Sequence, residues 1–207
     1  MLTLHTAELL VAGAGAVPVP GGAVLVQGDR IAGVGPYEEL AAGRPQARVR
    51  RWPGVLTPGL VVHGARELLE ETYYPDEAYG AAAVAAVAGA EPTEAERGGS
   101  ARRATQKLLA RGVVAVTGRL TVPAVRTAVA RSGLVLLPPA ASAPVSPSLD
   151  PFAGRAGAEE AFLGVLEAGA PARFAVFAAP GPGELAAVGA TACVATVIGG
   201  RLLHRRR

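Results

Sequence analysis

The feature that most constrains the fold is the occurrence of short strand-and-turn segments at both ends of the chain, with alternating helices and strands between them. The segment 23–35 predicts two strands about a turn at Gly28, and the segment 193–204 predicts two strands about Gly199 and Gly200. A two-stranded hairpin is too small to bury a core of its own. We therefore expect the strands near the two termini to combine in one composite β-sandwich.

The middle of the chain has the pattern of a parallel α/β structure. Ser100 is a candidate N-cap for the first helix, while Pro123 in the first turn and Gly133 at the end bound the second. Helix–strand alternation predicts parallel strands joined by right-handed crossovers. The predicted order is a helix at 100–111, a strand at 113–117, a helix at 121–132, a strand at 134–137 and a helix at 159–169.

The composition excludes several classes of function. The chain has 207 residues, a net charge of +3 and only 4% aromatic residues, whereas nucleic-acid-binding surfaces combine a basic face with aromatic side chains. The longest Ala/Val run, 81–90, is too short to span a bilayer, and no basic segment precedes the apolar N-terminus. Cys193 is the sole cysteine, so there is no disulfide framework. We expect a cytoplasmic protein that binds neither nucleic acid nor membrane and holds no cofactor.

Four stretches together resemble the amidohydrolase superfamily, in particular its imidazolonepropionase and aminodeoxyfutalosine deaminase branch. They are, in chain order, AVLVQGDRIAGVG, VLTPGLVVHG, GAPARFAVFAA and CVATVIGGRLLHR. The resemblance implies a composite β-sandwich domain from residues 1–62 and 170–207, beside an eight-stranded (β/α) barrel. In the family, the barrel holds one or two metal ions that activate water for attack on a non-peptide C–N bond.

The barrel implied by the resemblance does not fit the length of the chain. Such barrels usually take about 250 residues, and the region 63–169 is less than half as long. We identify three candidate parallel strands in it, and three strands cannot close a barrel. The expected fold class is therefore α+β, with the composite β-sandwich and a reduced, incomplete parallel α/β region at 63–169.

The metal ligands implied by the resemblance are missing. The family follows its Pro-Gly strand with two histidines on alternate residues, and these positions are occupied here by Gly64 and Arg66. His63 lies between them and is expected to point to the other face. Arginine cannot ligate a metal, and a hydrolytic metal site uses about three protein ligands. The other two histidines, His5 and His204, belong to the terminal β-segments, so we expect no metal site.

The segment that follows is rich in tyrosine and acidic residues. It leaves the strand end at which ligands bind in the parent architecture, so convergent hydroxyl, carboxylate and guanidinium groups would form a pocket for a polar small molecule. Alternatively, the carboxylates form a solvated surface and the tyrosines anchor a loop. The pocket candidates are His63, Arg66, Glu67, Tyr73, Tyr74 and Asp76.

Two hypotheses on function follow. The first is a pseudoenzyme of amidohydrolase-like fold that acts as a binding or scaffold protein, either as a homo-oligomer or beside a partner enzyme. The second is an active hydrolase or deaminase on a non-peptide C–N bond, with a different catalytic set drawn from the pocket candidates. A site shared between two chains is a third idea, although two copies would still lack the family's set of histidines. The sequence assigns no catalytic residue.

Overall fold

The computed structural model describes residues 2–76, 91–140 and 146–206. The strands of these parts are β1 Leu2–Leu10, β2 Val19–Pro20, β3 Gly22–Gln27, β4 Arg30–Pro36, β5 Arg48–Pro58, β6 Leu60–His63, β7 Val113–Thr117, β8 Val135–Leu137, β9 Arg173–Phe177, β10 Cys193–Ile198 and β11 Arg201–Arg205. The helices are α1 Tyr37–Ala42, α2 Glu94–Leu109, α3 Pro123–Ser132 and α4 Pro182–Val188. A π-helical turn covers Glu67–Glu71, and 3₁₀ turns cover Ala158–Ala161 and Ala190–Ala192.

Eight strands form one mixed sheet that contains both ends of the chain. Its order is β11-β10-β9-β5-β1-β3-β4, with β2 paired to β1. The two long strands β1 and β5 are parallel, whereas β9 joins β5 in the antiparallel sense and continues into the β10–β11 hairpin. Strands from the beginning and the end of the chain therefore share one sheet.

This sheet curls so that its two terminal hairpins meet. A Cβ atom on Gly200, in the β10–β11 turn, would overlap the carbonyl oxygen of Gly28 in the β3–β4 turn. The segment before β9 also pairs with β4, since Ile31 N donates to Ala170 O at 2.9 Å and Gly169 N donates to Ile31 O at 2.8 Å. The first and last strands thus belong to one continuous sheet, because β5 and β9 hydrogen-bond directly and link the two halves, and their arrangement as a sandwich stays a prediction.

The second sheet consists of three parallel strands in the order β6-β7-β8. It corresponds to the three parallel strands predicted for the reduced region, and the α+β class is confirmed. All five residues of β7 are buried, so both faces of the central strand are covered. Helix α2 contacts this strand, and so do β9 and β10 of the large sheet.

One core joins the two sheets. Leu60 and Val116 of the parallel sheet share a buried cluster with Leu108 of α2 and with Ala175 and Phe177 of β9. The large sheet therefore supplies the second layer that a small parallel sheet needs, since a parallel sheet is stable only with both faces covered.

Helix α2 begins earlier than predicted. Thr93 is its N-cap and forms a capping box with Glu96, in which each side chain accepts a hydrogen bond from the other residue's backbone. The predicted cap, Ser100, lies inside the helix, and its hydroxyl oxygen accepts a hydrogen bond from Tyr74 N at 2.9 Å. Helix α3 begins at Pro123, two residues after the predicted start, and ends at Ser132 as predicted, with Gly133 in the left-handed conformation at its end.

The helix predicted at 159–169 is absent. A 3₁₀ turn at Ala158–Ala161 is followed by chain that bonds to other segments, because Leu163 N donates to Gly59 O at 2.8 Å and Leu166 N donates to Ala12 O at 2.7 Å. These tertiary hydrogen bonds replace the intrahelical ones.

No helix in the described parts of the chain combines the length and apolarity that crossing a membrane requires.

Candidate functional site

A cleft of about 360 Å³ lies at the carboxyl ends of the parallel strands. The strands β6 and β7 end in His63 and Thr117, and the loops that follow them supply most of the remaining lining. Ligands of parallel α/β proteins bind outside this end of the strands. The lining residues are His63, Gly64, Arg66, Glu67, Thr117, Gly118, Arg119, Thr121, Pro139, Ala140 and Pro147.

His63 is held by the neighbouring strand. Its Nδ1 atom lies 2.9 Å from Thr117 Oγ1, which fixes the ring at the base of the cleft. Burial lowers the pKa of His63, and the positive charge of Arg155 lowers it further. The imidazole is therefore kept neutral at physiological pH. We had expected this side chain to point away from the mouth of the strands, but it lines the cleft.

Gly64 occupies the position of the family's first histidine and is enclosed. Its φ is +80°, and a Cβ atom there would lie 2.5 Å from Cγ and 2.6 Å from Cβ of Pro147. Glu67 Oε2 would be 3.1 Å away. The main chain thus approaches the 147 loop more closely than any other residue type permits.

Arg66, at the position of the second histidine, forms the rim of the cleft. Its Nε lies 2.9 Å from Glu71 Oε1, and both side chains are more than half exposed, at 62% and 52%. A surface ion pair of this kind contributes little to stability. The guanidinium remains close enough to solvent to meet a ligand.

Glu70 has a structural role next to the cleft. Its Oε1 accepts hydrogen bonds from Thr121 N at 2.6 Å and Val122 N at 2.7 Å, and its Oε2 accepts one from Thr121 Oγ1 at 3.0 Å. The carboxylate therefore satisfies free N–H groups at the start of α3 and ties the turn after β6 to that helix.

The other pocket candidates lie elsewhere. Tyr73 lines a second concavity of about 310 Å³, together with Arg66. Tyr74 packs against the main core, and its carbonyl accepts a hydrogen bond from Arg103 Nε at 2.8 Å. Asp76 faces a third concavity and lies 3.5 Å from Arg103 Nη1. Hence the structure brings together His63, Arg66 and Glu67 but not the full set of six.

Tyr73, Tyr74 and Asp76 lie away from the cleft for one common reason. The backbone N–H of Tyr74 is bonded to Ser100, so the chain leaves the strand ends and runs along helix α2. Glu77 and Tyr79, which belong to the same tyrosine-rich and acidic segment, lie outside the described residues.

The described residues contain no group of three or more His, Cys, Asp or Glu side chains that could hold a metal ion. His5 is buried in the large sheet, and His204 lies on β11. The Asp150 carboxylate accepts a hydrogen bond from Phe152 N at 3.0 Å within a local turn. In the described part of the cleft, only His63 and Glu67 could act as metal ligands, and a hydrolytic metal site uses about three protein ligands.

Two groups of the site were missed by sequence reasoning. Thr117 ends the strand that was correctly predicted at 113–117, so its position next to His63 follows from parallel pairing of the two strand ends. Arg155 Nη2 donates to Val61 O at 3.2 Å along the outer edge of β6. No sequence signal indicates that contact, since 94 residues separate the two.

Comparisons with known proteins support the resemblance in part. The family model of the bacterial imidazolonepropionase-like composite domain matches residues 22–42, which are β3, β4 and α1. The resemblance to that domain is confirmed for this hairpin and helix. No curated protein sequence matches the chain.

Several solved structures are similar to part of the chain. A. niger ochratoxinase has 22% identity and a TM-score of 0.48, over 66% of this chain and 31% of that one. Helicobacter pylori aminofutalosine deaminase has 16% identity and a TM-score of 0.45, over 67% and 33% of the two chains. Guanine deaminase from Bradyrhizobium japonicum has 15% identity and a TM-score of 0.47, over 67% and 34%. The matched region spans about a third of the length of each of these structures.

Proposed function

We propose that this chain is an amidohydrolase-like pseudoenzyme, a binding or scaffold protein that takes a polar small molecule into the cleft without metal-dependent hydrolysis. Residues 1–62 and 170–207 form its composite β-domain, and residues 63–169 form the remnant of the barrel. In this proposal, the loss of most of the barrel removed the chemistry but kept the ligand-binding end of the first strands.

The proposal rests mainly on Gly64 and Arg66, the residues found after β6 where the family resemblance places two histidine ligands. Gly64 is closed by Pro147, and Arg66 presents a permanent cation. His63 remains, but it is bonded to Thr117. A metal ion would have to displace this arrangement and, among the described residues, would still find fewer than the roughly three protein ligands that catalytic zinc uses.

The cleft suits a small molecule with several hydrogen-bonding groups. Arg66 and Arg119 supply cationic donors and Glu67 supplies an acceptor, and His63 and Thr117 add further polar atoms to the lining. Such convergence of a few polar groups in a concave site is typical of small-molecule binding.

The alternative proposal is an active hydrolase or deaminase on a non-peptide C–N bond. Deaminases are among the structures that resemble part of the chain. Its catalytic set would need groups beyond His63 and Glu67, since Tyr74 and Asp76 face other parts of the molecule. The geometry of the described residues favours the binding role.

A thermal-shift screen of polar small molecules, combined with elemental analysis of the purified protein, tests the proposal. A ligand should raise the melting temperature of the parent protein by mass action. This stabilisation should disappear in Arg66→Ala and persist in Glu71→Ala. Both variants break the same surface ion pair, but only Arg66 lines the cleft with His63.

Elemental analysis tests whether the protein holds a metal ion, as metal-dependent hydrolysis would require. The binding role predicts no stoichiometric metal in protein from cells supplied with zinc, iron and manganese. About one tightly held ion per chain would refute it, because a tightly bound ion requires a ligand set of about three side chains.

A further inference from the structure

A group of arginines lies on the face of the large sheet opposite α1, away from the cleft. Parallel pairing of β1 with β5 places His5 beside Arg50 and Thr3 beside Arg48. Residues paired across neighbouring strands point to the same face. Arg48, Arg50 and Trp52 are alternate residues of β5, so their side chains share that face. The guanidinium of Arg205, from the edge strand β11, lies 5.9 Å from the centre of the Trp52 ring.

Two rings fix one side of this arginine cluster. Trp52 Nε1 donates a hydrogen bond to His5 Nδ1 at 3.2 Å. The two rings are nearly parallel, and their centres lie 6.2 Å apart. His5 is buried and meets Phe174 edge-on at 4.9 Å. The aromatic wall is therefore anchored in the core, and the arginines project beside a rigid surface.

The positive charges of the cluster are not balanced by an ion pair within the part of the chain that the structure describes. No ion pair between described residues includes Arg48, Arg50 or Arg205. The Nε atom of Arg50 is buried and has no hydrogen-bond partner in the described structure. Burial lowers the pKa of Arg50, and the charges of Arg48 and Arg205 lower it further. An unpaired buried donor and like charges in close proximity both destabilise a protein unless a further group compensates them.

We propose that the arginine cluster is a binding site for a compact anion with several negative charges, of the diphosphate class. Three guanidinium groups supply planar pairs of donors that match phosphate oxygens, and an anion of two or more charges neutralises more of the cluster than a single carboxylate does. A bound anion would also offset the mutual repulsion of Arg48, Arg50 and Arg205. This site is separate from the cleft and does not depend on the proposed function.

Intrinsic fluorescence provides a direct assay, because Trp52 is the only tryptophan of the sequence. Pyrophosphate is titrated into the full chain at constant ionic strength set with chloride. We expect a saturable change in Trp52 emission, and an apparent Kd about tenfold or more weaker in Arg50→Gln, since a hydrogen bond between charged groups contributes about that much to affinity. A parallel titration with ADP distinguishes a nucleotide from free diphosphate, and saturable binding of either supports the site.

The matched control is Arg51→Gln. Arg51 is the next residue on the same strand, but its guanidinium lies 4.7 Å from the centre of the Tyr37 ring and donates to the Tyr37 hydroxyl at 3.2 Å, on the opposite face. This variant should bind pyrophosphate like the parent. If Arg50→Gln does not fold, Arg205→Gln on the edge strand tests the same site. No saturable response in the parent would overturn the proposal. So would an equal loss in Arg51→Gln, or binding of a single-stranded oligonucleotide without binding of pyrophosphate.

Discussion

Replacing Gly64 by alanine tests whether Pro147 closes the position at which the family has its first histidine. The φ of Gly64 is +80°, a conformation that costs a non-glycine residue about 1–2 kcal/mol. In addition, the new methyl group would lie 2.5 Å from Pro147 Cγ. Overpacking of this kind typically costs about 1–3 kcal/mol. We therefore expect Gly64→Ala to lower the free energy of unfolding by about 2–5 kcal/mol, as the sum of these two effects.

Gly28 provides the matched control. Its φ is +64°, but a Cβ atom there would meet no atom within 4 Å. Gly28→Ala should thus lose only the conformational part, about 1–2 kcal/mol. Urea unfolding followed by Trp52 fluorescence measures both losses. In the background of Pro147→Gly, the loss caused by Gly64→Ala should fall to the value of the control, because both contacting atoms, Cβ and Cγ of Pro147, are removed.

Equal losses in Gly64→Ala and Gly28→Ala would refute this reasoning. The 147 loop would then move aside at no measurable cost, and a larger side chain could occupy the ligand position. In that case, the absence of the first histidine would be a matter of residue identity alone, and Gly64→His with Arg66→His would be accommodated without steric strain.

Three further predictions concern single side chains. Glu70→Gln removes the charge that caps the start of α3 and should lower the free energy of unfolding by about 0.5–2 kcal/mol. Glu71→Gln, the control, breaks only a surface ion pair and should change it by less than about 1 kcal/mol. Urea unfolding measures both changes. Burial and Arg50 lower the pKa of His5 to about 3, so the unfolded chain binds the proton more tightly, and stability should fall by up to about 1.4 kcal/mol per pH unit below about pH 6.5. His5→Gln should flatten that dependence between pH 6.5 and 5. Burial raises the pKa of Cys193 to about 11, so a maleimide at pH 7 should label this thiol only after unfolding.

Local signals in the sequence were sufficient where the chain makes its own hydrogen bonds. The hairpin about Gly28 follows from a residue that accepts positive φ, and α3 follows from Pro123 and Gly133 at its ends. The strand β7 has the predicted bounds, because a short apolar β-branched run between a helix and a Gly is strongly biased to a buried strand.

Sequence reasoning failed where distant segments determine the structure. Apolar residues at 159–169 have helical spacing, but the backbone of Leu163 and Leu166 is bonded to Gly59 and Ala12. Similarly, a Pro-Gly pair such as Pro53-Gly54 is typical of turns, whereas β5 runs through these two residues with a shift in register against β1. The strand continues through a bulge at this point, because Gly54 adopts a φ of +68° and lies close to the backbone of Phe177 and Ala179.

The sequence predicted where the candidate site lies but not the full set of residues that line it. The family resemblance implied that a ligand would bind at the end of the first parallel strand, and the cleft lies there. Convergence of Tyr73, Tyr74 and Asp76 with His63 was not found, because adjacency in sequence is a weak guide to contact once the chain leaves a strand. The interactions that settled their positions are with α2, through Ser100 and Arg103.

The edges and faces of the parallel sheet explain how a sheet of only three strands is stable in this chain. The outer edge of β6 is covered, since Arg155 donates to Val61 O and Phe162 forms a bridge with Leu60. The large sheet contributes to the core on one side of β7, and α2 contributes to the same core. On the outer edge of β8, no described residue pairs with the strand, which is only three residues long and is followed by two prolines. A short edge strand that ends in proline resists further pairing. The three-stranded parallel sheet is therefore stabilised by the large sheet and α2, which cover a core that three strands alone would leave exposed.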